Sequence, residues 1–107
     1  MGLLIKSTPE QQILISGTDF TVQEVYGRIA FVAKPNGREM EIATNIYANQ
    51  DMYLQNKLLY TNIPPNNFNV VLQDGEQQSI DTALAYAKLG FERRGYVCEI
   101  VLDAIAN

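Results

Sequence analysis

The sequence predicts an α+β domain: a mostly antiparallel sheet of about five strands, with a long β-hairpin and one amphipathic helix packed on one face. Three observations carry this. Residues 20–33 and 40–48 alternate at period two on either side of Pro35-Asn36-Gly37, the pattern of two strands around a tight turn. Residues 74–95 hold apolar side chains at helical spacing. A chain of 107 residues, 47% of them hydrophobic, has the size and composition of one core, so 1–107 reads as a single α+β domain.

In order along the chain, Leu3–Ile5 and Ile13–Ile15 are short apolar runs separated by Ser7-Thr8-Pro9-Glu10. They read as strand, turn and strand, with residues 1–8 alternatively an N-terminal arm or an edge strand. Gly17-Thr18-Asp19 then breaks the chain. In the strand that follows, Val25, Gly27, Ile29, Phe31 and Ala33 fall on one face; Tyr26, Arg28, Ala30 and Val32 fall on the other. Proline presets φ and Asn-Gly tolerates positive φ, so Pro35-Asn36-Gly37 closes the hairpin. Its second strand alternates from Met40 to Ala48.

Asn49 to Lys57 is polar, with Asp51 a candidate cap for a short helical turn. Leu58-Leu59-Tyr60 is a short strand or a core-anchored loop. The prolines of Ile63-Pro64-Pro65 exclude a central strand there, and Phe68–Leu72 is a strand. The helix runs from Asp74 to Gly95, with Asp74 and Gln77 resembling a capping box and Ser79 a rival cap for a later start. Ile80, Ala83, Leu84, Ala87 and Phe91 form its apolar stripe. Arg93 and Arg94 suit the negative end of the dipole, and Gly95 is the stop. Gly90 costs helix stability unless a close packing contact requires it. Tyr96–Leu102 is the last strand. The strand–helix–strand order from Phe68 to Leu102 allows a parallel pair with a right-handed crossover.

Charge and composition exclude several function classes. Eight basic residues against twelve acidic ones give a net charge of −4, which disfavours binding to nucleic acid or to an anionic membrane. No apolar run is long enough to span a bilayer, and the Met1–Lys6 start lacks the basic and apolar regions of a signal peptide. The chain has no histidine, which removes the commonest general base and most zinc and iron sites. No cofactor, metal or small-molecule substrate is expected, and no catalytic residue is assigned. The single cysteine, Cys98, lies among apolar residues of a strand and reads as a buried, inert thiol.

The remaining chemical candidates each have a plainer reading. Glu39 and Glu41 share a strand face at a spacing of about 7 Å, which a glycosidase pair could use, although a solvated strand face explains them as well. Asp74-Gly75-Glu76 lacks the alternating oxygen ligands of a calcium loop and reads as a turn. Arg28, Lys34 and Arg38 cluster near the hairpin tip, as solubilising charge or as contacts to an acidic partner. The six tyrosines line the margins of the core or, if exposed, stack on sugars or anchor an interface.

One helix cannot cover both faces of a five-stranded sheet, yet both faces of the 20–33 strand carry apolar residues. The N-terminal strands or another chain must cover the second. Leu3, Leu4 and Ile5, as an arm able to add a strand to a neighbour, and Tyr26, Ala30 and Val32 on the second face are therefore the candidate interface residues.

Several stretches carry a family resemblance: Met1-Gly2-Leu3-Leu4-Ile5-Lys6, Val25-Tyr26-Gly27-Arg28-Ile29, Pro35-Asn36-Gly37-Arg38, Thr61-Asn62-Ile63-Pro64 and Gly75 through Ala83. In these the chain resembles small structural proteins of tailed phages of gut bacteria, the crAss-like group among them. The resemblance implies a non-enzymatic virion component, in head decoration, head fibre or tail connector. Such a protein is made in the host cytoplasm and assembles with copies of itself and with other virion proteins. It transfers no catalytic residues. The alternative expectation is a small monomeric binding module, taking carbohydrate through exposed tyrosines.

Overall fold

The hairpin organises the molecule. In a computed structural model, whose described residues are 2–63 and 67–101, strands β4 (Glu24–Ala33) and β5 (Glu39–Tyr47) pair antiparallel from Tyr26 opposite Tyr47 to Ala33 opposite Met40. The turn closes with Gly37 at φ +74°, its amide donating to the Lys34 carbonyl. The Asn36 side chain accepts from the Arg38 amide, so the sequence signal at the turn is realised by an Asx contact and a positive-φ glycine.

Three further strands complete a sheet ordered β6–β5–β4–β1–β7, antiparallel throughout. They are β1 (Gly2–Lys6), β6 (Phe68–Val71) and β7 (Val97–Val101). The first strand is neither arm nor edge. It pairs with β4 on one side and β7 on the other, and Leu3 and Ile5 are fully buried. An arm of three apolar residues gains more by filling the middle of its own sheet than by waiting for a neighbour. The two strands flanking the long helix run the same way but form opposite edges of the sheet, so they do not pair. Leu102 lies outside the described residues, as do Pro64, Pro65 and Asn66 of the proline segment.

A second, two-stranded sheet pairs β2 (Ile13–Leu14) with β3 (Thr21–Val22). The long strand expected from residue 20 is thus interrupted at Gln23, where the Ser7 amide donates to the Gln23 carbonyl. Residues 58–63 form a core-anchored loop across this small sheet. Asn62 clamps it, its side chain accepting from the Leu14 amide and donating to the Gln12 carbonyl.

Helix α2 spans Ile80–Arg93, later than the expected start at Asp74. Ser79 is the cap, its hydroxyl accepting from the Thr82 amide. Asp74 instead begins a turn whose Gly75 has φ +88°. Four of the five stripe residues, Ala83, Leu84, Ala87 and Phe91, are buried against Leu3, Ile5, Ile29, Ile42 and Cys98 on one sheet face, whereas Ile80 in the first turn is exposed. Gly95, at φ +101°, ends the helix as expected. Gly90 contradicts its expectation, because a Cβ built there meets no atom within 4 Å.

Candidate interaction surface

The face of the sheet turned away from α2 is built by the residues alternating with the core. These include Leu4 in β1; Tyr26, Arg28, Ala30 and Val32 in β4; Glu39, Glu41, Ala43, Asn45 and Tyr47 in β5; Asn69 and Val71 in β6; and Val97 and Glu99 in β7. Its two halves differ. One half is roofed by the short helix α1 (Gln50–Leu54), capped by Asn49, whose side chain accepts from the Met52 amide at 2.9 Å. Asn49 takes the role expected of Asp51. The roof is Tyr53. Its ring lies 5.8 Å from that of Tyr26 and 5.2 Å from that of Tyr47, the latter nearly edge-on. The Arg28 guanidinium sits 4.7 Å from the Tyr53 ring centre and donates to the Tyr26 hydroxyl at 3.2 Å. Aromatic edges and a cation over a ring face are favourable arrangements, so this half is closed by the chain itself.

The other half, toward the hairpin turn, has no such roof. Ala30 is exposed, Val32 is 62% exposed and Val71, two strands away, is 66% exposed. Among them stand Glu41, paired with Lys34 at 3.6 Å, and Asn69, which donates to Glu39 at 2.8 Å. The result is a flat surface of small apolar side chains set among amides and ion pairs.

The candidate interface residues therefore divide. Ala30 and Val32 lie on the open half, and Leu4 is half-buried at the far end of the same face. Leu3, Ile5 and Tyr26 are fully buried within the chain and offer nothing to a neighbour. Arg28 is not part of a cluster at the hairpin tip: it lies mid-strand over Tyr53, while Lys34 and Arg38 do flank the turn. The tyrosines chiefly serve packing. Tyr26, Tyr47 and Tyr96 are buried and Tyr53 and Tyr86 half-buried, whereas Tyr60 is 71% exposed.

Sequence reasoning missed Val71. Its signal was the phase of a four-residue strand, in which Val70 points to the core and Val71 must therefore point away. It also missed Phe20, 73% exposed, which flanks the end of β2 on the opposite side from Tyr60: the consecutive amides of Ile15 and Ser16 donate to the Phe20 and Tyr60 carbonyls. No local pattern encodes that placement.

The acid–base candidates are placed as follows. Hydrogen bonds from Asn69 and then Asn36 hold the Glu39 carboxyl below its usual range, the opposite of what a proton donor needs. The Glu76 carboxylate accepts from the Tyr86 hydroxyl and from the Gln73 amide, which lower its pKa in that order. The reading of 74–76 as a turn stands. Burial, and then the Glu92 charge, push the Cys98 thiol up to about 12. Among the described residues, no three metal-ligating side chains converge and no helix is long and apolar enough to cross a membrane. A scan against protein-family models gives no match, and neither do comparisons with curated proteins and with solved structures.

Proposed function

We propose that this chain is a structural protein that works by docking protein against protein, as a virion component of the tailed-phage type its sequence resembles. It belongs to head decoration, head fibre or tail connector and assembles with copies of itself and with other virion proteins. One observation carries this reading: the open half of the outer sheet face. The chain roofs one half of that face with α1 and leaves Ala30, Val32 and Val71 in water on the other. Each exposed valine forgoes about 1–2 kcal/mol of burial. Flat, small-residue strand surface interleaved with amides suits a neighbouring protein, because neutral amides are less costly to desolvate than ions.

Light scattering on the purified protein, coupled to size-exclusion chromatography over a wide range of concentration, tests the reading. The expected result is a mass that is a multiple of the 12.0 kDa chain. A single-chain mass at every concentration would refute self-assembly. In a phage-infected culture that makes the protein, it is expected to band with the particles in a density gradient. Recovery only in the particle-free fraction would refute the virion placement.

A further inference from the structure

We propose that a second copy of this chain docks on the free edge of β6, related by a two-fold axis, so that two five-stranded sheets join edge to edge. The proposal rests on the self-assembly reading above and names the surface that serves it.

The sheet has two outer strands, and they differ. β7 carries a charge, Glu99, which pairs with Lys6 at 3.5 Å. β6 reads Phe68-Asn69-Val70-Val71, with neither charge nor proline. Charge and proline are the usual means of keeping an edge strand from pairing. This edge lacks both; an exposed valine is common to the two edges, Val71 on β6 and Val97 on β7.

Backbone phase shows which groups are open. The Leu72 amide donates to the Arg38 carbonyl, extending the β5–β6 ladder by one rung at 2.7 Å. Alternate residues of an antiparallel strand turn their amide and carbonyl to the same side. Phe68 and Val70 therefore bond inward to β5, and Asn69 and Val71 turn theirs outward. A two-fold axis through Val70 sets Asn69 opposite the partner's Val71, and Val71 opposite the partner's Asn69. In that register every outward amide and carbonyl of the two residues is paired. Directly opposed side chains also fall on matching faces, as they must. Val71 then lies against a neighbouring strand, and the open half of the outer face continues from one copy into the next.

Charge fits the same axis. A groove of about 490 Å³ runs between β6 and the flank of α2. The chain leaves β6 at Val71, turns through 72–79 and returns along α2, to which it is tied by the Tyr86–Glu76 hydrogen bond. Asp74, which pairs with Arg38 at 3.8 Å, and Glu76 thus follow Gln73 past one end of the groove, and Arg93 and Arg94 line the other. A two-fold axis across β6 reverses one groove relative to the other. It brings the basic end of each copy toward the acidic loop of its partner, which is the self-complementarity an isologous interface requires.

The test compares solution mass for the unaltered chain and three variants. Asn69→Pro removes an outward donor and blocks the edge while leaving the inward ladder intact. Val71→Lys puts a charge on the edge strand at an exposed position. Val97→Lys does the same on β7, where Val97 is also exposed. The expected result is a dimer for the unaltered chain and for Val97→Lys. Asn69→Pro and Val71→Lys should dissociate, with the dimer constant weakened about tenfold or more. Circular dichroism checks that each variant is folded, and Val71→Lys decides the matter if Asn69→Pro is not. A chain that self-associates unchanged in a folded Val71→Lys variant overturns the β6 proposal and leaves self-assembly standing. An unaltered chain that is single at every concentration overturns both.

Discussion

Replacing Gly90 by alanine should stabilise this protein. Gly90 sits in α2, three residues before its end, where glycine costs about 1 kcal/mol relative to alanine through the backbone freedom lost on folding. The alanine methyl would meet nothing within 4 Å, so no clash offsets the gain and no new contact enlarges it. Closeness to the frayed end trims the gain to about 0.5–1 kcal/mol. An unfolding entropy of about 2.1 cal/mol/K per residue amounts to ~0.22 kcal/mol/K for 107 residues, so the melting temperature should rise by about 2–4 °C. Calorimetry or urea unfolding followed by circular dichroism measures this, at a protein concentration where the mass is that of one chain. The denaturant slope should not change, since the exposed surface is the same. An unchanged or lowered midpoint would refute the reasoning. It would mean that Gly90 is pressed in solution by chain the structure leaves clear of it, the close contact that the sequence alone suggests.

Three further outcomes follow from the same packing. Gly2→Ala should destabilise by about 1–3 kcal/mol in urea unfolding, because its methyl would fall 2.6 Å from the Tyr26 ring and 2.7 Å from the Gly27 carbonyl oxygen. A loss below experimental error would show that Tyr26 yields easily. Ser79→Ala should cost about 1 kcal/mol through the lost cap, while Asp74→Ala, removing a fully exposed pair 3.8 Å from Arg38, should leave the midpoint almost unmoved; the reverse order would restore Asp74 as the cap. Cys98 should react with a disulfide reagent at pH 8 only on unfolding, because its native thiol stays protonated up to about 12. The unfolded thiol ionises near its ordinary 9.0, so the native state holds the extra proton and stability should fall as pH rises from about 9 to 12. Replacement by alanine should remove that component of the alkaline loss, and an unchanged alkaline profile would refute it.

What was legible in the sequence is what local chemistry controls. The hairpin, the α2 stripe from Ala83 to Phe91 and the Gly95 stop each depend on residues within one turn or one strand of each other, and each stands in the structure. The start of α2 was less legible because two caps competed. Asp74 failed since its carboxylate lies ahead of a glycine at φ +88°, a backbone that turns rather than coils, whereas Ser79 is extended and aims its hydroxyl at the Thr82 amide. The placement of β1 was not legible at all. Strand order is decided by which pairing buries the most, and Leu3-Leu4-Ile5 reads the same whether it lies at an edge, in an arm or between β4 and β7.

The candidate surface follows the same division, and for the same reason. That one helix leaves a second face uncovered is arithmetic on strand number, so the need for a cover was visible. How the chain met half of that need was not, because the cover is one side chain, Tyr53, on a helix of five residues whose cap is an asparagine among many amides. Once Tyr53 is placed, Tyr26 changes from interface to interior, and Ala30 and Val32 alone of the β4 candidates remain outside. Val71 joins them for a reason that is again local, since a strand that turns Val70 inward cannot hide its neighbour. Ala30, Val32 and Val71 therefore lie where α1 does not reach and toward the edge where β6 ends the sheet, while Val97 is exposed at the β7 edge. A second copy added at the β6 edge would extend the ladder and lengthen the face, but it would leave Ala30 and Val32 on β4 uncovered, so the edge and the face call for different neighbours.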